Sequence, residues 1–437
     1  MGPLNSKDIK NKLKSLANSA TGKDRVEYRH LKLVDPDCKI LSIIYNKCLA
    51  EKKIPSSWKE SATIMIYKKG SSDDPSNFRP IAFTSCLCKL FTSLLALRVT
   101  NFSIQNNLMS PQQKSARPAE GCHGHTFTLQ SIVADCKQNQ KNCFFIWLDL
   151  RNAFETEPIK VTAGVKQGCP ISPVLFNLTS ELLIRTALSR SQDNPSIPFK
   201  LHNQPISILA YADDLVLISR TREGLQVLLD DISLAADVLN LSFRQDKCST
   251  LSLTCFKKDL SRVSEYEFIV QHNPIPFLKR EESYRYLGVP IGLLYDAKDI
   301  QSITAKLISD LDKIRDSLLA PWQRLDAIRT FVQPGLTYAL ISCPVTHEAL
   351  KEYRSKLIEV LKSIYHLPKH ASASYFFADK SDGGLGFLDR FDKRHVQTIV
   401  HTVKILSAKD PLIHNISRAQ LRSVVYCCIN VEPYNND

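Results

Sequence analysis

The residues best suited to chemistry are Tyr211-Ala212-Asp213-Asp214, set between two apolar runs at 206–210 and 215–218. Two adjacent carboxylates in hydrophobic surroundings disfavour double ionisation, and a divalent cation relieves that directly. Oxygen-only donors point to Mg²⁺ or Mn²⁺ and away from zinc. The plainer alternative is a polar hairpin turn with both acids facing water, because Asp is common in turns. A third carboxylate, Asp149, closes the apolar run CFFIWLDL at 143–150. Alone, it would cap whatever follows. Three acids at strand ends can also hold two metal ions about 3.5–4 Å apart, the arrangement that clamps a phosphoryl-transfer centre.

These acids need elements to carry them. The run at 143–150 is short enough for a buried strand, and 206–210 with 215–218 reads as two strands around a four-residue tip. Ser172-Pro173 is a helix start, with Ser as N-cap and Pro at the first helical position, followed by Val174, Leu175, Leu178, Leu182 and Leu183 at helical spacing. Leu225, Leu228, Leu229, Ile232, Ala236 and Leu239 share one helix face. Upstream, the pattern predicts an apolar helix at 40–49 and a strand at 63–67 running into Lys68-Lys69-Gly70. A polar loop at 71–77 and, after Arg79-Pro80, a helix through Leu97 follow. Beyond Gly292 the pattern is all-helical, with Ile303, Leu307, Leu311, Ile314 and Leu318 as one stripe and a second apolar segment at 325–340. Gly383-Gly384-Leu385-Gly386 lacks GxGxxG spacing and reads as a turn. Cys122, His123 and His125 look like metal ligands, but no second pair at zinc spacing stands nearby.

Composition bounds the rest. With 437 residues, 43% hydrophobic and 23% charged, the chain is globular, with material for two or three domains. Lys plus Arg number 57 against 44 Asp plus Glu, a net charge of +13 that suits a polyanionic partner, nucleic acid before an acidic membrane. The 13 Cys are scattered and read as reduced, core-filling thiols of an intracellular protein, the adjacent Cys427-Cys428 included. No apolar h-region opens the chain and no apolar run reaches 18 residues, so no membrane partner is expected.

The segments IPSSWKESATIMIYKKG (54–70), DPSNFRPIAF (74–83), GCHGH (121–125), FFIWLDLRNAF (144–154), AGVKQGCPISPVLFN (163–177), YADDLVLI (211–218), FRQDKCSTL (243–251) and YRYLGVPIG (284–292) occur in a telling order. Together they resemble the reverse transcriptase of a non-LTR (LINE-type) retrotransposon, closest to the site-specific class with a restriction-like endonuclease. The likeness continues through 321–340 and 383–387 and so covers nearly the whole chain. It implies an α+β right-hand polymerase, with fingers over 1–110 and a palm with remaining finger segments over 111–292. A helical thumb over 293–345 and a helical C-terminal extension over 346–437 would follow. By the same resemblance Asp149, Asp213 and Asp214 bind the metal, with the backbone carbonyl of Leu150 as a further ligand. Arg79 and Lys68 would meet the triphosphate of an incoming dNTP, a guanidinium fork and an ammonium point charge respectively. Phe154 would stand against the sugar 2′ position, Gln167 and Gly168 along the nascent base pair, and Lys247 would protonate pyrophosphate. Core packing for Phe154 and a surface lysine on a strand edge for Lys247 stay open beside those roles. Partners would be an RNA template, a DNA primer or target DNA, and dNTPs. The compartment would be the nucleus.

The chain departs from this family in one place. Asp149 and Gln167 are 18 positions apart, where relatives carry several tens more, as if a block had been excised. Glu155 also stands where relatives usually have Asp. This shortening leads to the expectation that one face of the palm sheet lacks its covering helix and that polymerase activity is weak or absent. The competing reading is therefore a remnant that binds RNA without catalysis. A third keeps the fold but synthesises RNA or acts as a telomerase does, and Phe154 and the YADD tip favour DNA synthesis over it. Polymerase and remnant alike are expected to bind RNA with an affinity that falls steeply between about 50 and 200 mM salt, because phosphate neutralisation releases counterions. Filter binding across that range, on the parent and on a carboxylate variant, should give the same steep slope. A flat titration would remove both readings.

Overall fold

The structure, a computed structural model, describes residues 2–67, 71, 73, 77–117, 121–150, 168–255, 262–294, 297–342, 345–389 and 394–429. Lys68, Phe154 and Gln167, given roles above by resemblance, lie outside these residues. The N-terminal part is helical: α1 (Ser6–Ser15), α2 (Tyr28–Val34), α3 (Lys39–Glu51) and α4 (Ser56–Lys59) precede a hairpin of β1 (Ala62–Tyr67) and β2 (Phe78–Phe83), and α5 (Cys86–Gln105) follows. Tyr45, Trp58 and Phe91 pack ring against ring at its centre. Arg79 and Pro80 therefore lie within a strand, opposite Ile66 and Met65, and not at a helix start. The helix begins later because Ser85 caps it, its hydroxyl accepting from Leu87 N. By length and composition alone α5 could cross a membrane, yet it buries Leu90, Phe91 and Leu94 in this N-terminal core.

The middle of the chain is built on one sheet. Its elements run α6 (Cys122–Asn139), β3 (Cys143–Asp149), α7 (Ser172–Asp193), β4 (Phe199–Leu201), β5 (Gln204–Ile206), β6 (Ile208–Tyr211), β7 (Asp214–Ser219), α8 (Arg222–Val238), β8 (Ser249–Thr254) and β9 (Arg262–Val263). Two small hairpins close it, β10 (Phe268–Val270) with β11 (Asn273–Ile275) and β12 (Ser283–Tyr286) with β13 (Val289–Gly292). Five strands form an antiparallel sheet in the order β6-β7-β3-β8-β9. Every residue of β3 up to Leu148 is buried, which explains a continuous apolar run in place of alternation. Successive side chains go to opposite faces: Phe145 and Trp147 join Leu129, Ile132 and Val133 of α6, while Phe144, Ile146 and Leu148 join Leu183 and Ile184 of α7 and Leu225, Leu228 and Ile232 of α8. Both faces are thus covered, and the expectation of a bare face is corrected: α6 supplies one cover, α7 and α8 the other. Ser172 is the first residue of α7, one position inside its Ile171 cap, so its predicted capping role is also corrected.

Helices follow: α9 (Ala297–Arg315), α10 (Pro321–Ala327), a π-turn at Ile328–Val332, α11 (Gln333–Ser342), α12 (His347–Ile364), α13 (Ser374–Phe377), α14 (Arg394–Leu406) and α15 (Pro411–Ile429). Leu311, Ile328, Leu357 and Leu361 pack into the same cluster as Tyr286 and Ile291, so these helices share a core with one sheet face. Leu318 lies past the end of α9 and is fully exposed, outside the stripe expected of it. Cys427 and Cys428 are exposed on α15, correcting their reading as core thiols, whereas Cys38, Cys86, Cys136, Cys143 and Cys248 are buried as expected.

With both sheet faces packed, Phe145→Ala should cost about 3–5 kcal/mol and Ile146→Ala about 2–5 kcal/mol. Denaturant unfolding measures both. A near-neutral Ile146→Ala would mean that its face is bare after all.

Candidate active site

The chemistry gathers where β3, β6 and β7 end. The β3–β7 register sets Asp149 opposite Asp214, and the β6–β7 register closes a hairpin at Tyr211 and Asp214 with Ala212-Asp213 as its two-residue tip. The expected four-residue tip is therefore two residues tighter. Burial pushes the Asp214 carboxyl up to about 7, helped by Asp213 and Asp149. Asp213 is raised by burial and by Asp149, against the pull of Arg79 and Lys247. Those last two cations thus lie within electrostatic reach of the acids, from β2 on one side and the turn before β8 on the other. The Lys247 ammonium is 3.8 Å from Asp149 Oδ2. Lys247 sits in a tight turn, its backbone N–H donating to Arg244 O at 2.9 Å, and not on a strand edge. The Asp149 carbonyl accepts from Arg244 N at 2.8 Å, and Leu150 bridges Phe243 with its side chain buried.

Gly168 stands against β2. Its φ of +103° and a would-be Cβ only 2.6 Å from the Ala82 carbonyl leave room for glycine alone. The close backbone approach expected of this residue is thus made to the strand that carries Arg79.

Two further residues stand at the site without a role assigned to them from the sequence. Gln113, wholly buried, takes the Ala212 peptide from both ends: its Oε1 accepts from Ala212 N at 2.9 Å and its Nε2 donates to Ala212 O at 3.3 Å. Tyr284 stacks on Trp147, ring centroids 4.8 Å apart. Its hydroxyl is held in the neutral form by burial and by Asp214 and Asp149. Neither could be found from spacing, since Gln113 sits in an aperiodic stretch and Tyr284 in a short late strand. By contrast, Cys122, His123 and His125 are structural. His125 Nδ1 lies 3.1 Å from the Tyr286 hydroxyl, His123 packs on Tyr338 and His401, and the thiol of Cys122 meets Tyr211.

Among the described residues, no three of His, Cys, Asp and Glu converge closely enough to form a closed metal cage. The donor set still suits a hard divalent ion: three oxygen-only carboxylates, of which Asp213 and Asp214 are raised first by burial and then by the neighbouring acids. Mg²⁺ is commonly held by one or two carboxylates, with water and substrate phosphates completing its shell. Such a site is open by nature.

A family model described as "Reverse transcriptase (RNA-dependent DNA polymerase)" matches residues 66–159 and 155–291. The two pieces meet in the short stretch between Asp149 and Gln167. The chain is 28% identical, over 79% of its length and 36% of the relative's, to the "Retrovirus-related Pol polyprotein from type-2 retrotransposable element R2DM" of Drosophila melanogaster. It is 24% identical to the Pol polyprotein from type-1 retrotransposable element R2 of Nasonia vitripennis, over 93% of this chain and 42% of that one. For its namesake in Popillia japonica the figures are 26%, 77% and 52%. The chain spans about a third to a half of the length of these curated relatives, and the resemblance to a retrotransposon enzyme is borne out.

A carboxyl raised to about 7 is protonated at pH 6, so a cation must displace that proton. Folding is disfavoured as pH rises from the ordinary carboxylate range through about 7, because the unfolded chain gives up this proton first. Added Mg²⁺ should therefore raise Tm little at pH 5.5 and progressively more up to pH 8, with proton release on binding near pH 6. Melting curves with and without Mg²⁺, and calorimetry in two buffers of different ionisation enthalpy, check this. A pH-independent Mg²⁺ effect would contradict it.

Proposed function

Because the chain belongs to the reverse transcriptase family, we propose that it is the polymerase module of a non-LTR retrotransposon, extending a DNA 3′ end along an RNA template with dNTPs. The observation that carries this reading is the pairing of Asp149 with Asp214 across β3 and β7, with Asp213 at the adjoining tip. In this reading Asp149, Asp213, Asp214 and the Leu150 carbonyl hold Mg²⁺ or Mn²⁺. When bound, such an ion would make the primer 3′-hydroxyl more acidic and offset charge on the triphosphate. Arg79 and Lys68 bind phosphate oxygens, and Lys247 holds a proton on Nζ for the departing pyrophosphate. Phe154 rejects a 2′-hydroxyl that it can neither bond nor accommodate, and Gln167 with Gly168 lines the new base pair. Residues 1–110 act as fingers, 111–292 as palm, 293–345 as thumb and 346–437 as an extension. The enzyme would work in the nucleus, where target DNA lies.

One observation favours the RNA-binding remnant as a second reading: the family match falls in two pieces that meet where the chain is short. Primer extension on an RNA template separates the two. With both sheet faces covered, the ground for expecting weak activity falls away: the parent chain should extend, and Asp213→Ala or Asp149→Asn should fall to background because each removes transition-state charge stabilisation. RNA binding should survive in both variants. Extension by Asp213→Ala at the parent rate would refute the carboxylate assignment. A silent parent that still binds RNA, and is rescued by a relative's block inserted between Phe154 and Thr156, would establish the remnant reading.

A further inference from the structure

A two-residue hairpin tip normally leaves its middle peptide to solvent, free to rock. Here Ala212, a residue with a Cβ, is held at φ +54° in the left-handed region, a conformation that must be maintained from outside. Gln113 holds this residue by both its backbone N–H and its carbonyl. Residues 112–114 run parallel to β6 along its outer edge, with Ala210 N donating to Gln112 O at 3.1 Å and Lys114 N donating to Ala210 O at 3.0 Å. That extra pairing aims the Gln113 side chain past Tyr211 to Ala212, whose backbone N–H and C=O, on the two successive peptide units of the tip, it engages together. Oε1 also accepts from Ser115 N at 3.1 Å, which fixes the amide's own orientation. The segment is anchored in turn at the neighbouring Lys114, whose ammonium lies 2.9 Å from Asp410 at the cap of α15 and is almost wholly buried.

We propose that Gln113 is a positioning residue of the catalytic turn: by clamping the Ala212 peptide it sets the direction in which the Asp213 carboxylate leaves the hairpin. The inference rests on the reading of Asp213 and Asp214 as cation ligands. A side chain that merely filled space would affect folding alone. One that aims a ligand also affects cation affinity in the folded protein, because a hydrogen-bonded support fixes the geometry of the group it holds.

The test is a Mn²⁺ titration of the full chain, free Mn²⁺ being read by its paramagnetic resonance signal, with Tm recorded in metal-free buffer. Gln113→Met matches the side chain in length but abolishes both hydrogen bonds to Ala212 and the one from Ser115 N. It should weaken Mn²⁺ binding roughly tenfold, about the net worth of one such bond, at an unchanged folded fraction. Gln113→Asn keeps the amide but withdraws it by one methylene, and it carries the same expectation as methionine should the Met variant not fold. Parent-like Mn²⁺ affinity in the folded Met or Asn variant overturns the proposal. Binding that survives in the double variant Asp213→Ala, Asp214→Ala, or that is absent from the parent, overturns the ligand reading itself and the proposal with it. Loss in the aspartate variants without loss at Gln113 overturns the proposal alone.

Discussion

The constraint on which the rest depends is that two strands deliver like charges to the same place. Pairing Asp149 directly opposite Asp214 is unfavourable in itself, since like charges facing across a ladder repel. The pairing persists because the strands are committed elsewhere. Along β3 and β7 the register also matches Phe145 with Ile218, Ile146 with Leu217 and Trp147 with Val216, all buried. Hydrophobic burial over many residues thus outweighs repulsion at one end of the ladder, and burial, helped by the neighbouring acids, makes Asp213 and Asp214 hold their protons longer than free carboxyls do.

The helices are arranged around that commitment. With α6 on one face and α7 with α8 on the other, β3 cannot tilt to separate the acids without breaking two packed layers at once. The cations approach from outside this block, Arg79 from the one exposed position of β2 and Lys247 from a turn. The acids are rigidly held, and the bases come from elements with less packing behind them.

Much of this was legible in the sequence because it rests on local patterns. CFFIWLDL, the YADD tip and the helical stripe of α8 each record burial in their own residue order, and the structure has them as strand, hairpin and helix. The failures occurred where a tertiary partner decides. Arg79-Pro80 became a strand because β1 lies beside it. Ser172 missed its cap by one residue, and Cys427 and Cys428 lie on a helix face turned to solvent. The shortened stretch suggested a bare sheet face, yet the cover comes from α6, α7 and α8, all of which the chain keeps. Gln113 was invisible for a related reason: its partner is a peptide 99 positions away, and no periodicity in its own neighbourhood announces that.

The alternation of β3 has a consequence for how this chain tolerates changes in length. Deleting one residue anywhere between Cys143 and Asp149 would reverse which core each following side chain enters and turn Asp149 away from Asp214. Losing residues beyond Leu150 changes no parity upstream, because every pairing that fixes β3 has been made by then. The chain is short immediately after that boundary, at 155–166. A deletion of whole codons there leaves the Asp149–Asp214 register as it is, provided that the remaining residues still reach α7. The same lesion a few codons earlier would destroy the sheet.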